Sequence, residues 1–353
     1  MTDVRGASSR RSANDVIACG VEGRDIAALD HPGVLSTVDR RSPPSNRISA
    51  VPLPWQRGFR ASSNRGWCGT VLDMIVPKDL LDRPGYVPVT RSRLADTLVD
   101  LGVRRDGVLM VHVRMSALGW MVGGMDAIVW ALRDVVGPDG TLLALTGWED
   151  SPYHVPGWPP DWQQAYRDQP PFDPGVSAAR REFGRFPERL RTWPRARRSN
   201  HPEVSFAAVG PAAADLLAEP GDDDPWGPDG PLGRLVAADG QVLLIGPIKT
   251  LTLCHHAEAI ARVEGKRYHD YTAPIRVDGA VEWRHYRTLD TFYGTLPYWE
   301  RDDLAIDGWV ATLTDQAIAA GATKHGTIDE CRLMLVDAPR ATAAIKDWIE
   351  ANF

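Results

Sequence analysis
Gly107-Val108-Leu109-Met110-Val111-His112, the loop Val113-Arg114-Met115-Ser116-Ala117-Leu118-Gly119, the span 126–136 and Thr141-Leu142-Leu143-Ala144-Leu145 together decide the fold class. The two apolar runs read as strands buried on both faces, because neither shows the polar–apolar alternation of a half-exposed strand. Between them Ile128, Leu132 and Val135 or Val136 recur at helical spacing from Asp126 onward. The turn residues Gly137-Pro138-Asp139-Gly140 end that helix. Strand, helix and strand at this spacing make a βαβ unit, which requires a parallel pair in a sheet covered by helices.

Working outward, Leu94, Leu98 and Leu101 predict a helix over 92–101, stopped at Gly102. Gln241 to Gly246 is a further buried strand, followed by a helix over about 252–263. Strands are expected over 281–286 and 333–336, and a closing helix over 341–349. The expected architecture is α/β, a three-layer single domain with a mixed β-sheet flanked by helices. Trp148 to Pro174 is rich in Trp, Pro and Asp and has no clear period. It is too long for a passive connector and is expected to shape a site.

The 353 residues carry 43% hydrophobic and 24% charged side chains and a net charge of −6, which excludes a disordered or collagen-like chain. Residues 1–73 differ from the rest: ten Arg, no Lys and seven acids give +3, leaving −9 on residues 74–353. The first segment is broken by Ser, Pro and Gly and has no sustained apolar period. It reads as a disordered extension, or as a mis-assigned start with Met74 the true one, ahead of a catalytic domain over 74–353. No run approaches the roughly 18 apolar residues of a membrane span, and no apolar signal region follows Met1. Cys19, Cys68, Cys254 and Cys331 lie far apart without a C-x-x-C pair, which points to a reducing cytoplasm and away from structural zinc. The acidic balance disfavours nucleic acid and favours a neutral or cationic partner.

Chemistry concentrates in Thr252-Leu253-Cys254-His255-His256-Ala257-Glu258, which opens a helix directly after a buried strand. Thr252, His255 and Glu258 stand three residues apart, so successive members face each other across one turn. A carboxylate there can orient an imidazole and stabilise its protonated form, as a general base taking an amine's proton requires. From spacing alone a packed histidine beside a surface acid is the favoured reading. Cys254 is poorly placed for activation by His255, because neighbours in sequence do not face each other on a helix. The zinc signature H-E-x-x-H is absent and no metal is expected. G-x-G-x-x-G, the P-loop and Gly-x-Ser-x-Gly are absent too, which disfavours the common dinucleotide, P-loop and α/β-hydrolase readings. The loop from Arg114 to Gly123-Gly124 suits a pyrophosphate, with backbone N–H groups at a helix start and one guanidinium. Arg197 to Pro202 is turn-forming and polar. Glu219, Asp222, Asp223, Asp224 and Asp229 form an acidic run around Trp226.

These pieces, in this order, resemble the aminoglycoside 3-N-acetyltransferase family from about Pro84 to the C-terminus. The matching stretches are Val111-His112 with Arg114-Met115-Ser116-Ala117 and Gly123-Gly124, Pro171-Phe172-Asp173-Pro174, and Arg198-Ser199-Asn200-His201-Pro202. Gly230-Pro231-Leu232, Leu243-Leu244-Ile245-Gly246, the 252–258 box and Leu289-Asp290-Thr291 complete them. Arg114 looks like the actinomycete-type branch. Gly230 stands where members usually have Ser, and the Gly usual near Asp329 is missing. The resemblance implies acetyl transfer from acetyl-coenzyme A to the 3-amino group of a 2-deoxystreptamine ring, and hence antibiotic resistance. It implies His255 as general base, with Glu258, Asp290 and Thr252 as its catalytic company. Arg114, Met115, Ser116, Ala117, Gly123, Gly124, Ser199, His201, Pro231 and Leu232 would hold the coenzyme. Asp150, Asp173 and Asp223 would hold the aminoglycoside. A different amine acceptor, or a binding homologue without chemistry, fits the same scaffold, and monomer and homodimer are equally compatible with it.

Overall fold
Helix α1 (Arg91–Leu101) begins where Thr90 Oγ1 accepts the Arg93 N–H and ends at Gly102, whose φ of 97° only glycine adopts cheaply. It leads into β1 (Val108–Val113), α2 (Gly124–Val136) and β2 (Thr141–Leu145). β1 and β2 are parallel, with Val108 opposite Thr141, as the βαβ reading requires. This computed structural model describes residues 78–219, 224–246, 250–298 and 308–353. The expected extension over 1–73, the boundary at 74, and Asp222 and Asp223 lie outside the described residues.

Beyond three parallel strands, β2, β1 and the later β5 (Gln241–Ile245), the sheet turns antiparallel on both sides. β3 (Arg197–Arg198), β4 (Phe206–Val209), β8 (Thr323–Ile328) and β9 (Cys331–Asp337) complete seven strands in the order β3-β4-β2-β1-β5-β9-β8. β5 runs parallel to β1, placing His112 opposite Leu244 and Val113 opposite Ile245. β4 is antiparallel to β2, and β9 to β5. Alternate residues of the central strands feed two separate cores. Leu109, Val111, Leu243 and Ile245 pack with α1, α2 and the short helix α3 (Arg185–Arg191). Met110, Val242 and Leu244 face the other way. There they meet α4 (Pro231–Ala237), α5 (Leu253–Ile260), α6 (Trp309–Ala319) and α7 (Ala338–Asn352). Each such Leu or Val side chain, taken out of water, contributes about 1.5–3 kcal/mol. Helix, mixed sheet and helix form the expected three layers.

Some elements differ from the sequence reading. α5 stops at Ile260, not near Val263, because Ala261 is already extended. The freed groups find partners outside the helix: Lys266 Nζ donates to Ala259 O, and Glu350 Oε1 accepts the Arg262 N–H. The strand expected over 281–286 belongs not to the main sheet but to a hairpin of β6 (Tyr268–Val277) and β7 (Ala280–Leu289). The long 148–174 segment folds onto that hairpin. Phe172 donates its N–H to Pro274 O and accepts from Arg276 N, both at 2.8 Å. Trp148, Tyr153, Phe172, Tyr271, Ile275 and Tyr286 form a third, aromatic core there.

Candidate active site
The carboxyl ends of β1, β2 and β5 converge on a cavity of about 740 Å³. Open α/β sheets bind ligands outside these strand ends, where the topology switches direction. Val111, His112 and Val113 come from β1, Leu145 from β2, and Thr250, Thr252 and His255 from the segment after β5. The far walls are Phe183 to Arg185, Glu203, Trp226, Thr291 and Phe292. Gly246 (φ 115°) closes β5 against the 114–117 loop. A Cβ there would lie 3.0 Å from Arg114 Cβ and 3.1 Å from Ala117 Cβ, so a side chain would push the loop away.

His255 sits in the first turn of α5 with its side chain 13% exposed. Its Nδ1 lies 2.7 Å from Glu258 Oε2. The other Glu258 oxygen accepts the Tyr298 hydroxyl at 2.5 Å, and Glu258 is fully buried. A carboxylate can only accept, so Nδ1 carries a proton, and in the neutral ring Nε2 presents its lone pair. Burial disfavours the imidazolium, but the Cys254 sulfur and the Glu258 hydrogen bond and charge outweigh it and raise the His255 pKa. Burial also pushes the Cys254 thiol up, so at neutral pH the lasting support is the Glu258 carboxylate. Cys254 Sγ is 3.9 Å from Nδ1, the nitrogen already committed to Glu258. His256 turns the other way and is buried, with Nδ1 donating to Trp226 O at 2.8 Å. The Trp226 ring in turn leans on His255 at 5.1 Å between centroids. Cys254, His255 and Glu258 hold potential metal donors within 4.8 Å of one another, but Glu258 spends both oxygens on His255 and Tyr298.

The other expected site residues spread more widely. Thr252 caps α5 without a side-chain cap bond and lines the cavity. Asp290 is buried behind that wall. It accepts from Tyr153 Oη at 3.3 Å and from Tyr293 N at 3.0 Å, and meets Arg267 at 3.4 Å, while the following Thr291 and Phe292 face the cavity. Arg114 and Met115 line the cavity; Ser116 and Ala117 line a second cleft of about 310 Å³ with Tyr86 and Asp329. Gly123 and Gly124 open α2, both at positive φ. Ser199 Oγ accepts Phe206 N, and His201 Nδ1 accepts Val204 N, both at 2.9 Å, so these side chains shape the turn that carries Glu203. Pro231 and Leu232 are buried at the start of α4. Asp173 pairs with Arg276 at 3.1 Å and Asp150 is exposed; neither is among the cavity-lining residues.

Sequence reasoning missed the ion pair of Arg180 and Glu203, 2.8 Å apart and both buried. Burial raises the Glu203 pKa, and Arg180 works against that rise. Arg180 lies over the Phe292 ring at 5.1 Å and so braces two walls of the cavity. Nothing local announces this pairing, since the partners are 23 residues apart.

The sequence model of the aminoglycoside 3-N-acetyltransferase family matches residues 110–350. The chain belongs to this family. It is 45% identical over 280 residues to aminoglycoside N(3)-acetyltransferase VIII of Streptomyces fradiae, covering 78% of this chain and 96% of the relative. Among solved structures it is similar to aminoglycoside acetyltransferase AAC(3)-Xa, at 44% identity and a TM-score of 0.70, covering 74% of this chain and 93% of that one. AAC-IIIb in binary complex with CoASH is 37% identical with a TM-score of 0.68, covering 76% and 98%. The actinomycete-type resemblance agrees with the Streptomyces relative. The chain is an acyltransferase, an aminoglycoside 3-N-acetyltransferase. Among the described residues no helix is long and apolar enough to cross a membrane.

Proposed function
We propose that acetyl passes directly from acetyl-coenzyme A to the 3-amino group of a 2-deoxystreptamine ring, with His255 as general base. The observation that carries this reading is the 2.7 Å contact of His255 Nδ1 with buried Glu258, on a helix opening into the cavity. The substrate ammonium must lose a proton before its nitrogen can attack a thioester. Glu258 holds Nδ1–H, so Nε2 takes that proton. His255 releases that first proton to solvent. The nitrogen–carbon bond then forms, and Nε2 takes the second proton, which the nitrogen sheds in becoming a neutral amide. As the carbon–sulfur bond breaks, this proton passes on to the leaving thiolate. Holding both substrates together supplies much of the rate, because the reacting atoms must lie about 3–3.5 Å apart. Arg114 and Met115, with Phe183 and Arg185 opposite, form a partly apolar wall suited to the coenzyme. Glu182 lines the same cavity and suits a polycation, while Glu203 beside it is held by Arg180. Use of acetyl-coenzyme A and two free buried thiols, Cys254 and Cys331, fit a cytoplasmic enzyme.

Coenzyme thiol release across a panel of aminoglycosides, with mass spectrometry locating the acetyl group, tests the reading. Release with simple amines but none with any 2-deoxystreptamine compound would move the chain to another acceptor class.

Direct transfer predicts that Cys254→Ala keeps most of the turnover, since no acyl-cysteine is needed. An acetylated Cys254 formed and consumed at the turnover rate would show the opposite. The −9 charge of residues 74–353 predicts electrostatic assistance for a cationic substrate. Apparent second-order rates should fall with salt, as the Debye length drops from about 10 Å at 0.1 M to about 3 Å at 1 M. A flat response would mean the acids are scattered over the surface.

A further inference from the structure
The cavity contains a second imidazole that the reaction above does not use. Along β1, Leu109, Val111 and Val113 face the α1–α2 side of the sheet, and Val108 and Met110 face the α5 side. Strand alternation puts His112 with Met110, on the side that carries His255. Its register partner Leu244 packs in the same core as Leu253, Cys254 and Ala257 of α5. His112 and His255 line one cavity. The Nε2 atom of His112 is enclosed and has no hydrogen-bond partner within the protein. A buried polar atom left unpaired is destabilising and calls for an explanation, and one at the wall of a cavity can be completed by a ligand there. Burial also lowers the imidazole pKa to about 4, so at neutral pH this ring is uncharged and carries one N–H.

Acyl transfer leaves one requirement open. As the amine nitrogen bonds to the thioester carbon, the carbonyl electron pair moves onto oxygen, and that charge needs a hydrogen-bond donor until the carbon–sulfur bond breaks. We propose that His112 is that donor, giving its Nε2–H to the acyl oxygen of the thioester while His255 handles the amine proton. This inference rests on the acetyl-transfer reading. The His112 N–H bond never breaks; the ring polarises the carbonyl and orients it toward the amine.

The test compares His112→Phe and His112→Leu, which lack a donor, with His112→Gln, which retains one. Each is measured for kcat, for both KM values, for affinity toward coenzyme A without its acetyl group, for Tm, and for its pH profile. Loss of the donor should lower kcat by about 10²- to 10³-fold. Coenzyme A lacks the acyl oxygen, so its affinity should change less than about threefold. The pH limb set by His255 should not move, and His112→Gln should recover part of kcat. If the Phe variant fails to fold, the Leu and Gln pair gives the same comparison. Donor-less variants within threefold of wild-type kcat would overturn the proposal, as would an equal loss of coenzyme A affinity. A wild-type protein inert toward acetyl-coenzyme A and every aminoglycoside would sink the transfer reading first, and this role with it.

Discussion

His255→Ala lowers kcat by at least about 10²-fold, and up to about 10⁴-fold, the usual worth of a positioned general base. That is roughly 3 to 5 kcal/mol of barrier. The effect is this large because no other described side chain joins a free imidazole nitrogen to a buried carboxylate at the cavity wall. Coenzyme affinity should stay nearly intact, since the lost contact acts on the amine proton. Raising the pH should restore part of the rate, as more substrate amine arrives already deprotonated. His256→Ala should act differently, because His256 is buried and spends Nδ1 on Trp226 O. Steady-state kinetics of both variants decides the matter: near-normal turnover in His255→Ala would require the proton to leave by another route.

Glu258→Gln is expected to cost about 10²-fold in kcat as well, by a different path. Glu258 is fully buried and joins His255 to Tyr298, so its charge supports the imidazolium and its position selects the Nδ1–H tautomer. Glutamine keeps the shape and loses the charge, and its amide also has to choose between the two partners. The pH profile carries the distinguishing sign. In the native protein His255 is raised above its ordinary pKa, so the base form, and the rate, appear as pH rises through that raised value. Without the carboxylate the midpoint must move down. Stability follows the same linkage. The contribution of a raised histidine is fully present below its unfolded pKa of about 6.5 and is lost as pH climbs through the folded value. The Tm gap between native protein and variant should therefore narrow at alkaline pH. An unchanged kinetic midpoint would remove Glu258 as the source of the raised basicity. Tyr298→Phe, which leaves the carboxylate charged, should shift the midpoint far less than Glu258→Gln.

The features legible in the sequence were those built from neighbours along the chain. The βαβ unit over 107–145 follows from apolar periodicity, because burial on both faces leaves an uninterrupted apolar strand and burial on one face leaves a helical stripe. The His255–Glu258 contact follows from i,i+3 geometry, which a helix enforces wherever it forms. The contacts decided only by the tertiary structure join distant segments. Tyr298 reaches Glu258 across 40 residues of sequence, and Arg180 reaches Glu203 from a separate turn. No spacing rule anticipates either pair, since loop closure brings ends together with little regard to the residues between. Ser199 and His201, polar enough to suggest a ligand, instead have side chains that accept backbone N–H groups of their own turn, a use their residue types do not announce. Local spacing determined which side chains share a helical turn, and strand pairing determined which turns share a cavity. His112 and His255 line one cavity because β1 pairs with β5, a hydrogen-bonded register of buried strands that only the folded sheet specifies.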